Sequence, residues 1–582
     1  MSENRQSRLV LGVPKRRLPT MAQLRYINNL LTFKQQITVL LCSVVFVAAL
    51  IFMGVYRYLS TTHVIPEYGG SYVEALVGQP QYINPILAQT NDVDQDLSRL
   101  MFSGMFRQTK EQKLEPDLVT AYTISDDQLT YTFTIRQDAK WHDGEALTAS
   151  DVMFTIQAIQ DPNYQSPLES SLRGVQAEKV DDNTIKLTLK EPFAPFLSSL
   201  TFGILPEHIW FDAYKVSSQN ITLSEYNIRP IGSGPFMFDS LVKDGSGVLK
   251  SYKLKPFKQY YGQKPYLSAL SFSFYSDLDS AEQALQHKEV DGLGFITPEQ
   301  KITLQNKVNN LNYYRLQLPQ YTAIFFNQKK SDVLASDSVR QAMVWGVDRT
   351  TIIDQALSGE GEPIYTPILP GYLGYNTEVE KYGFDLEKGK QILEDNDWKI
   401  PEGEQYRKKG DQVLEFGIAT VNQPEFLATL KVLQDNWAAM GMKVNVNVYE
   451  PADIQEQIIK PRAYEALLFG AIIGSDPDPY AFWHSTQMSH PGLALAVFYQ
   501  KNIDDLLETA RKTSDEEQRR LKYFNFQNIL AEEIPAIFLY NPYYTYAMNN
   551  SVKGITSQYI SLPSDRFVDI LNWHIKTKRI KN

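Results

Sequence analysis

The chain has few residues of the kinds that carry covalent or metal-dependent catalysis. Its 582 residues include one cysteine, Cys42, and seven histidines. Because Cys42 lies inside an apolar segment, the rest of the chain has no thiol for a disulfide or for a papain-like nucleophile. The closest two histidines, His484 and His490, are six residues apart, a spacing that does not place both on one helix face for zinc.

The sequence motifs of several common active sites are also absent. The chain has no Gly-x-Ser-x-Gly nucleophile elbow, no His-Glu-x-x-His pair and no phosphate-binding Gly-Lys-Ser/Thr loop. The sequence therefore disfavours an enzyme and predicts no cofactor and no metal site. Any step driven by ATP would depend on a partner protein.

Basic residues are concentrated at the N-terminus and are outnumbered by acids elsewhere. The net charge is −10, yet residues 1–36 carry seven basic groups and one acid, which leaves −16 for the remainder. A strongly acidic main body disfavours nucleic acid as a partner.

Only one stretch is long and apolar enough to cross a bilayer. Residues 37–56 contain no charged side chain, and 20 residues suffice to span a hydrocarbon core of about 30 Å. The basic residues before this stretch place the N-terminus in the cytoplasm, so the chain after Arg57 is expected on the extracytoplasmic face. The prediction is a basic cytoplasmic segment at 1–36, a transmembrane anchor at 37–56 and a polar tether at 57–67.

Two other roles for this stretch fit the sequence less well. A cleaved signal peptide has a shorter apolar region followed by small residues, whereas Arg57, Tyr58 and Leu59 follow this one. A lipid anchor needs its cysteine after the apolar run, and Cys42 lies near the beginning of the run. We therefore predict an uncleaved anchor. Whether a protease later removes the anchor is a question that the sequence leaves open.

The exported body alternates between strand and helix patterns without a fixed repeat. Residues 129–135 and 185–189 alternate apolar and polar side chains, which is typical of half-buried strands. Thr148 and Asp151 have the spacing of a capping box, and Pro424 favours the start of another helix. Because the length exceeds what one core usually serves, we expect an α/β protein of at least two lobes.

Short motifs along the body occur in the order found in one known family. They are GGSYV at 69–73, QYINP at 81–85, LEPDLV at 114–119, WHDGEALTASDV at 141–152, GSGPF at 232–236, FN at 326–327, VRQAMVWGVDR at 339–349 and DPDP at 476–479. With these motifs the chain resembles the oligopeptide- and dipeptide-binding proteins of ABC importers, the family 5 solute-binding proteins. The WHDG stretch is the most specific of them.

The resemblance implies a two-lobed periplasmic-binding-protein fold of type II, in the large peptide-binding class with an extra domain. The lobes would be joined by a hinge crossed twice and would close on a ligand. The implied domains are lobe one with the inserted extra domain at 68–320, lobe two at 321–532 and a return to lobe one at 533–582.

The resemblance also implies where a ligand would bind. In the family, an extended segment of lobe two pairs with the ligand backbone, and its match here is the strand around Phe469, Gly470, Ala471, Ile472 and Ile473. Further candidate contacts are Tyr82, Asn84, Tyr321, Asn327, Trp345, Asp476, Asp478, Tyr480 and Trp483. The aromatic residues among them could instead be core residues, and the two aspartates could instead belong to a surface loop.

One position departs from the family pattern. The peptide binders place an aspartate three residues before the Asp-Pro pair to hold the ligand's ammonium group, and this count from Asp476 reaches Ile473. A buried ammonium without a counter-charge is costly. Either Asp476 or Asp478 therefore takes that role, or the ligand lacks a free amine at that end.

The function implied is capture of peptides or peptide-like solutes for an ABC importer, whose permease and ATPase subunits would be the partners. The alternatives are a ligand sensor that signals to a membrane partner and a binder of a non-peptide solute. The expected location is the extracytoplasmic face of the cytoplasmic membrane.

Overall fold

The computed structural model describes residues 31–216, 221–474 and 476–581, which form two compact units. The smaller unit comprises the described residues up to Glu67 together with those from Lys576 on, and the larger unit runs from Tyr68 to Ile575. Both predicted lobes belong to the larger unit. Most of the predicted cytoplasmic segment, residues 1–30, lies outside the described residues.

The described chain contains both strands and α-helices, in an irregular order. The strands are β1 (Thr62–Glu67), β2 (Ser71–Val77), β3 (Phe106–Gln108), β4 (Leu114–Pro116), β5 (Val119–Ile124), β6 (Thr130–Ile135), β7 (Gln176–Lys179), β8 (Thr184–Thr188), β9 (Phe236–Lys243), β10 (Leu249–Pro256), β11 (Ala269–Tyr275), β12 (Gly292–Leu293), β13 (Leu311–Gln317), β14 (Gln320–Phe326), β15 (Gly361–Pro363), β16 (Lys408–Lys409), β17 (Gln412–Val413), β18 (Glu415–Val421), β19 (Lys443–Tyr449), β20 (Ala466–Ile472), β21 (Ala536–Asn549) and β22 (Lys576–Lys581). The α-helices are α1 (Phe33–Thr61), α2 (Asp92–Met101), α3 (Ala149–Gln160), α4 (Glu169–Leu172), α5 (Glu207–Val216), α6 (Leu278–Gln286), α7 (Pro298–Lys307), α8 (Asp332–Ala335), α9 (Asp337–Trp345), α10 (Arg349–Leu357), α11 (Leu386–Asp395), α12 (Pro424–Ala439), α13 (Pro451–Asp453), α14 (Tyr480–Trp483), α15 (Lys501–Arg511) and α16 (Glu516–Glu533).

The smaller unit contains one long helix and a two-stranded ribbon. Helix α1 has 29 residues, about 44 Å at 1.5 Å per residue, and none of its side chains is buried. Among the described residues it is the one helix whose length and composition would let it cross a membrane. The predicted span at 37–56 lies inside it.

The structure corrects the predicted tether at 57–67, because these residues form regular elements. Helix α1 continues to Thr61, and β1 pairs antiparallel with β22 from Thr62↔Lys581 to Glu67↔Lys576. We call β1 and β22 the terminal ribbon. The last residues of the chain, which we expected to return to lobe one, therefore pair with the segment that follows the long helix.

Lobe one combines a mixed sheet with a smaller separate sheet. Strands β12, β2, β11, β10 and β9 are neighbours in that order, with β2 parallel to β11. The predicted strand at 129–135 is β6, in a separate four-stranded sheet of order β5–β6–β8–β7. The predicted capping box is present at the start of α3, where the Thr148 N–H donates to Asp151 Oδ2 at 2.8 Å.

Two of the sequence motifs meet in lobe one through His142. The Gly232 N–H donates to His142 Nδ1 at 3.0 Å, and Nε2 lies 3.2 Å from the carbonyl oxygen of Gly234. Nδ1 is therefore an acceptor and Nε2 a donor, which is the neutral imidazole. Burial lowers the pKa of His142 to about 4.

Lobe two continues the same sheet with strands of order β19–β18–β20–β14. Helix α12 begins at Pro424 as predicted and buries Leu430, Leu433 and Trp437. These side chains pack in one core with Phe416 and Ile418 of β18.

The two lobes share strand β21, which carries the return crossing. Its first half pairs with β14 and β15 of lobe two, and its second half pairs with β13 and β12 of lobe one. The other crossing is the short link between β13 and β14, where the Asn541 side-chain amide donates to the carbonyl oxygen of Leu318 at 2.9 Å. The predicted boundary at 533 is therefore too early, because Ile537 and Leu539 still pack in the lobe-two core.

Candidate functional site

Strand β20 is paired along its whole length on one edge but only in part on the other. It pairs antiparallel with β14 from Ala466 to Ile472, whereas β18 pairs only with Ala466 and Leu467. The Thr420 hydroxyl then donates to the carbonyl oxygen of Leu468 at 3.0 Å. Beyond Leu468, the described strands leave this edge of β20 open.

The register shows which backbone groups point into the open side. The Ile473 N–H donates to the carbonyl oxygen of Pro319 at 2.7 Å, which marks a hydrogen-bonded pair in the antiparallel ladder. Since such pairs alternate, Ala471 also bonds to β14, whereas Gly470 and Ile472 point their N–H and C=O groups to the open edge. Gly470 and Ile472 therefore offer unpaired backbone N–H and C=O groups, as the residues of an edge strand do.

A cavity of about 380 Å³ lies beside this open edge. It forms where β18 ends at Val421 and the chain turns into α12, so that no strand follows β20 further. Its lining residues are Gln320, Tyr321, Thr322, Val421, Gln423, Glu425, Phe426, Pro451, Ile454, Gln455, Phe469, Gly470, Ala471, Ile472 and Pro542. A side-chain carbon added at Gly470 would meet only the carbonyl oxygen of Tyr321, at 4.0 Å, so the space in front of the strand is open.

The structure brings several predicted site residues to this cavity. Phe469, Gly470, Ala471 and Ile472 line it from β20, and Tyr321 lines it from β14. Ile472 is 71% exposed, as expected for a side chain at an open edge, whereas Tyr321 is buried and burial raises the pKa of its hydroxyl. Ile473 follows the strand and packs partly buried in the adjoining core.

Other predicted residues lie elsewhere and bond to the protein itself. Asn84 is buried in lobe one and accepts from the Ile86 N–H at 3.1 Å. Asn327 is buried in lobe two and donates to the carbonyl oxygen of Arg462 at 3.0 Å. These amides fix loops, and the structure does not place them at the cavity.

Three predicted aromatic residues also do not line the cavity. Tyr82 packs against the lobe-one core, and its N–H donates to Asp94 Oδ2 at 2.8 Å. Trp345 meets the Tyr382 ring edge-on, with the Lys388 ammonium 3.5 Å from its own ring centroid. Trp483 is buried in a core of lobe two.

The two aspartates of the DPDP motif are held by arginines of lobe two. Arg519 Nη1 lies 3.1 Å from Asp476 Oδ2, and its Nη2 forms a second, shorter bond to Oδ1. Arg511 Nε lies 2.8 Å from Asp478 Oδ2. Since each carboxylate is already neutralised, the expectation that Asp476 or Asp478 holds a ligand ammonium finds no support in the geometry.

The same motif reaches lobe one. The Ser198 hydroxyl lies 3.4 Å from Asp476 Oδ2, and the Arg511 guanidinium lies 5.4 Å from the Phe193 ring centroid. Tyr480 joins this group, with its ring 4.2 Å from that guanidinium. A second cavity, of about 650 Å³, opens between these parts of the two lobes.

A further cavity, of about 660 Å³, lies in lobe one. It is lined by segments such as 98–111 and 562–572 and by no residue of β20 or of the DPDP motif. It is therefore not the site that the predicted contacts define.

Sequence reasoning missed part of the cavity wall. Gln423, Glu425, Pro451 and Gln455 come from the entry into α12 and from the turn after β19. In the sequence, Pro424 indicates only the beginning of a helix. The place of these residues at the cavity depends on where β18 separates from β20, which local patterns do not encode.

Comparison with known proteins supports this reading of the fold. Residues 113–491 match the family model described as bacterial extracellular solute-binding proteins, family 5 Middle. The oligopeptide-binding protein AppA of Bacillus subtilis is 28% identical over 497 residues, which cover 84% of this chain and 89% of AppA.

Solved structures agree with the sequence comparison. AppA from Bacillus subtilis in complex with a nonapeptide superposes with a TM-score of 0.62 at 27% identity, covering 88% of this chain and 100% of AppA. NikZ from Campylobacter jejuni in complex with Ni(L-His) gives a TM-score of 0.64 at 25% identity, covering 87% and 99%. The predicted two-lobed α/β fold and the predicted resemblance are confirmed, and the chain belongs to the family 5 bacterial extracellular solute-binding proteins.

Proposed function

We propose that this protein captures peptides along the open edge of β20 and delivers them to the permease and ATPase subunits of an ABC importer. The observation that carries the proposal is the unpaired backbone of Gly470 and Ile472 beside a cavity. An extended peptide would continue the sheet there as an added strand.

This mode of binding explains how one site could accept many sequences. Main-chain hydrogen bonds recognise what all peptides share, and side chains of the ligand project alternately away from the added strand. The cavity wall is mixed, with polar Gln423 and Gln455 beside apolar Phe426 and Ile454. Such a wall suits ligands of varied composition.

We further propose that α1 anchors the protein in the cytoplasmic membrane, with the larger unit on the extracytoplasmic face. The exposed apolar surface of α1 supports its insertion in the membrane. The basic residues before α1 support the orientation. An anchored receptor keeps a high effective concentration near a membrane permease. Accessibility of a C-terminal tag to protease on intact cells would test the orientation.

The ligand class is tested by analysing what the protein carries. Full-length protein is extracted in detergent, purified without denaturation and examined by mass spectrometry for bound small molecules. Peptides of similar length and mixed sequence are the expected result. A single non-peptide compound, such as a metal chelate of the kind bound to NikZ, would overturn the peptide assignment.

An empty preparation is resolved by titration. Peptide pools of defined length are added to the same full-length protein, and the melting temperature is followed, since a ligand that prefers the folded state must raise it. A pool-dependent rise supports the proposal, and no rise with any pool refutes it.

A further inference from the structure

The cavity beside β20 contains one charged residue among those that line it, Glu425. Glu425 lies in the first turn of α12, directly after Pro424. The turn between the end of β18 and the start of α12, which leaves the edge of β20 open, also places Glu425 in the cavity wall. A ligand strand added to that edge would therefore run past a carboxylate.

Among the described residues, the Glu425 carboxylate is bonded to a neutral side chain and not to a basic one. The Tyr540 hydroxyl donates to Glu425 Oε1 at 2.9 Å, and no described basic residue forms an ion pair with this carboxylate. Burial raises its pKa, and the Tyr540 hydrogen bond offsets part of that rise. Asp476 and Asp478 differ from Glu425 in this respect, because each of them forms an ion pair with an arginine.

The positions at which the peptide binders carry their aspartate supply no counter-charge for a cationic ligand. Ile473 and Ser475 stand three residues before the two Asp-Pro pairs, and neither is charged. A cation that is partly removed from water needs a carboxylate partner to offset the loss of hydration. Glu425 is the lining residue that can provide it.

We propose that Glu425 is the residue that selects ligands carrying a positive charge, which it pairs with while the ligand backbone lies along β20. This inference rests on the proposed peptide-binding function and adds the chemistry of selection. The cation could be the N-terminal ammonium of the peptide or a lysine or arginine side chain. Both sources share a charge-assisted hydrogen bond to a carboxylate.

The test uses full-length protein and three pentapeptide pools. One pool has free N-termini and no lysine, arginine or histidine. The second is the same pool after N-acetylation, and the third is N-acetylated but contains one lysine in each peptide. Affinities are measured by calorimetry for the wild type, for Glu425→Gln and for Glu450→Gln.

The variants separate charge from structure. The side-chain amide introduced by Glu425→Gln keeps an oxygen that can accept from Tyr540 and is compatible with the helix, so this substitution removes only the charge. Glu450 is exposed, accepts from the Asn422 side chain at 2.8 Å and does not line the cavity. Glu450→Gln therefore controls for the loss of one negative charge nearby.

We expect Glu425→Gln to weaken binding of at least one cationic pool about 10- to 100-fold, the usual range for a charge-assisted hydrogen bond. Loss for the free-amine pool identifies the ammonium, and loss for the lysine pool identifies a side chain. Binding of the acetylated, uncharged pool should be unchanged, as should all binding by Glu450→Gln.

Two results would overturn this inference and leave peptide capture intact. One is equal affinity of Glu425→Gln and wild type for every pool. The other is an equal loss for charged and uncharged pools, which would make Glu425 a structural residue. If wild-type protein binds none of the pools, the proposed peptide function fails and this inference fails with it.

Discussion

The open edge of β20 can be tested by removing a single backbone donor. The N–H of Ile472 points away from β14, whereas the N–H of Ala471 points towards it. Proline lacks an N–H, and it is tolerated on the free side of an edge strand. Ile472→Pro should therefore leave the fold intact and remove one donor from the site.

The size of the effect follows from the bond that is lost. A neutral hydrogen bond contributes about 0.5–1.5 kcal/mol, so peptide affinity should fall about 2- to 13-fold from this loss alone. The loss of the exposed Ile472 side chain complicates that comparison. Ile472→Ala is therefore the reference, because it shortens the side chain and keeps the N–H.

Ala471→Pro serves as the matched control on the neighbouring residue. It would remove a ladder bond to β14 and leave the Tyr321 carbonyl without its partner, which costs about 1–3 kcal/mol of stability. Calorimetry with a peptide pool measures affinity, and thermal unfolding measures stability. Peptide binding by Ile472→Pro as tight as by Ile472→Ala would show that this N–H does not contact the ligand. Unfolding of Ile472→Pro as readily as Ala471→Pro would show that residue 472 does not lie on the free edge.

Three further predictions concern stability and the ends of the chain. Replacing Arg519 by leucine leaves the Asp476 carboxylate unpaired, so the free energy of unfolding in urea should fall by about 3–5 kcal/mol. The matched control is the same change at Arg520, whose partner Glu517 is exposed. That variant should have a urea midpoint close to that of wild type. His142 has its pKa lowered to about 4 by burial, so the unfolded state binds the proton more tightly and stability is lost as the pH falls from about 6.5 to about 4. The melting temperature of wild type should then drop more over this range than that of His142→Gln, and equal drops would count against the assignment. Truncation before residue 576 removes the partner of β1, so proteolysis should cut near residues 62–67 in the truncated protein and not in the full chain.

Local patterns in the sequence predicted those elements whose cause is local. Strict alternation at 129–135 predicted β6, and the Thr148–Asp151 spacing predicted the beginning of α3. Charge and apolar length predicted the long N-terminal helix. In each case the chemistry that forms the element lies within a few neighbouring residues.

Features that depend on distant pairing could not be predicted in this way. The pairing of β1 with β22 joins residues 62–67 to 576–581, and the sequence of neither segment indicates that the other is its partner. The arginines that hold Asp476 and Asp478 lie on α16 and α15. The family resemblance predicted ligand contacts on β20, whereas the opposite wall of the cavity and Glu425 became apparent only from the three-dimensional arrangement.

The terminal ribbon has a consequence for the order in which the protein can be completed. Strand β1 leaves the ribosome early, directly after the long helix, whereas β22 is made only after the whole of the larger unit. The ribbon can therefore form only after the whole intervening body has been translated. Until then β1 exposes unpaired backbone that a protease could recognise. A chain that stops before β22 is thus distinguishable, at the terminal ribbon, from a chain that contains both strands.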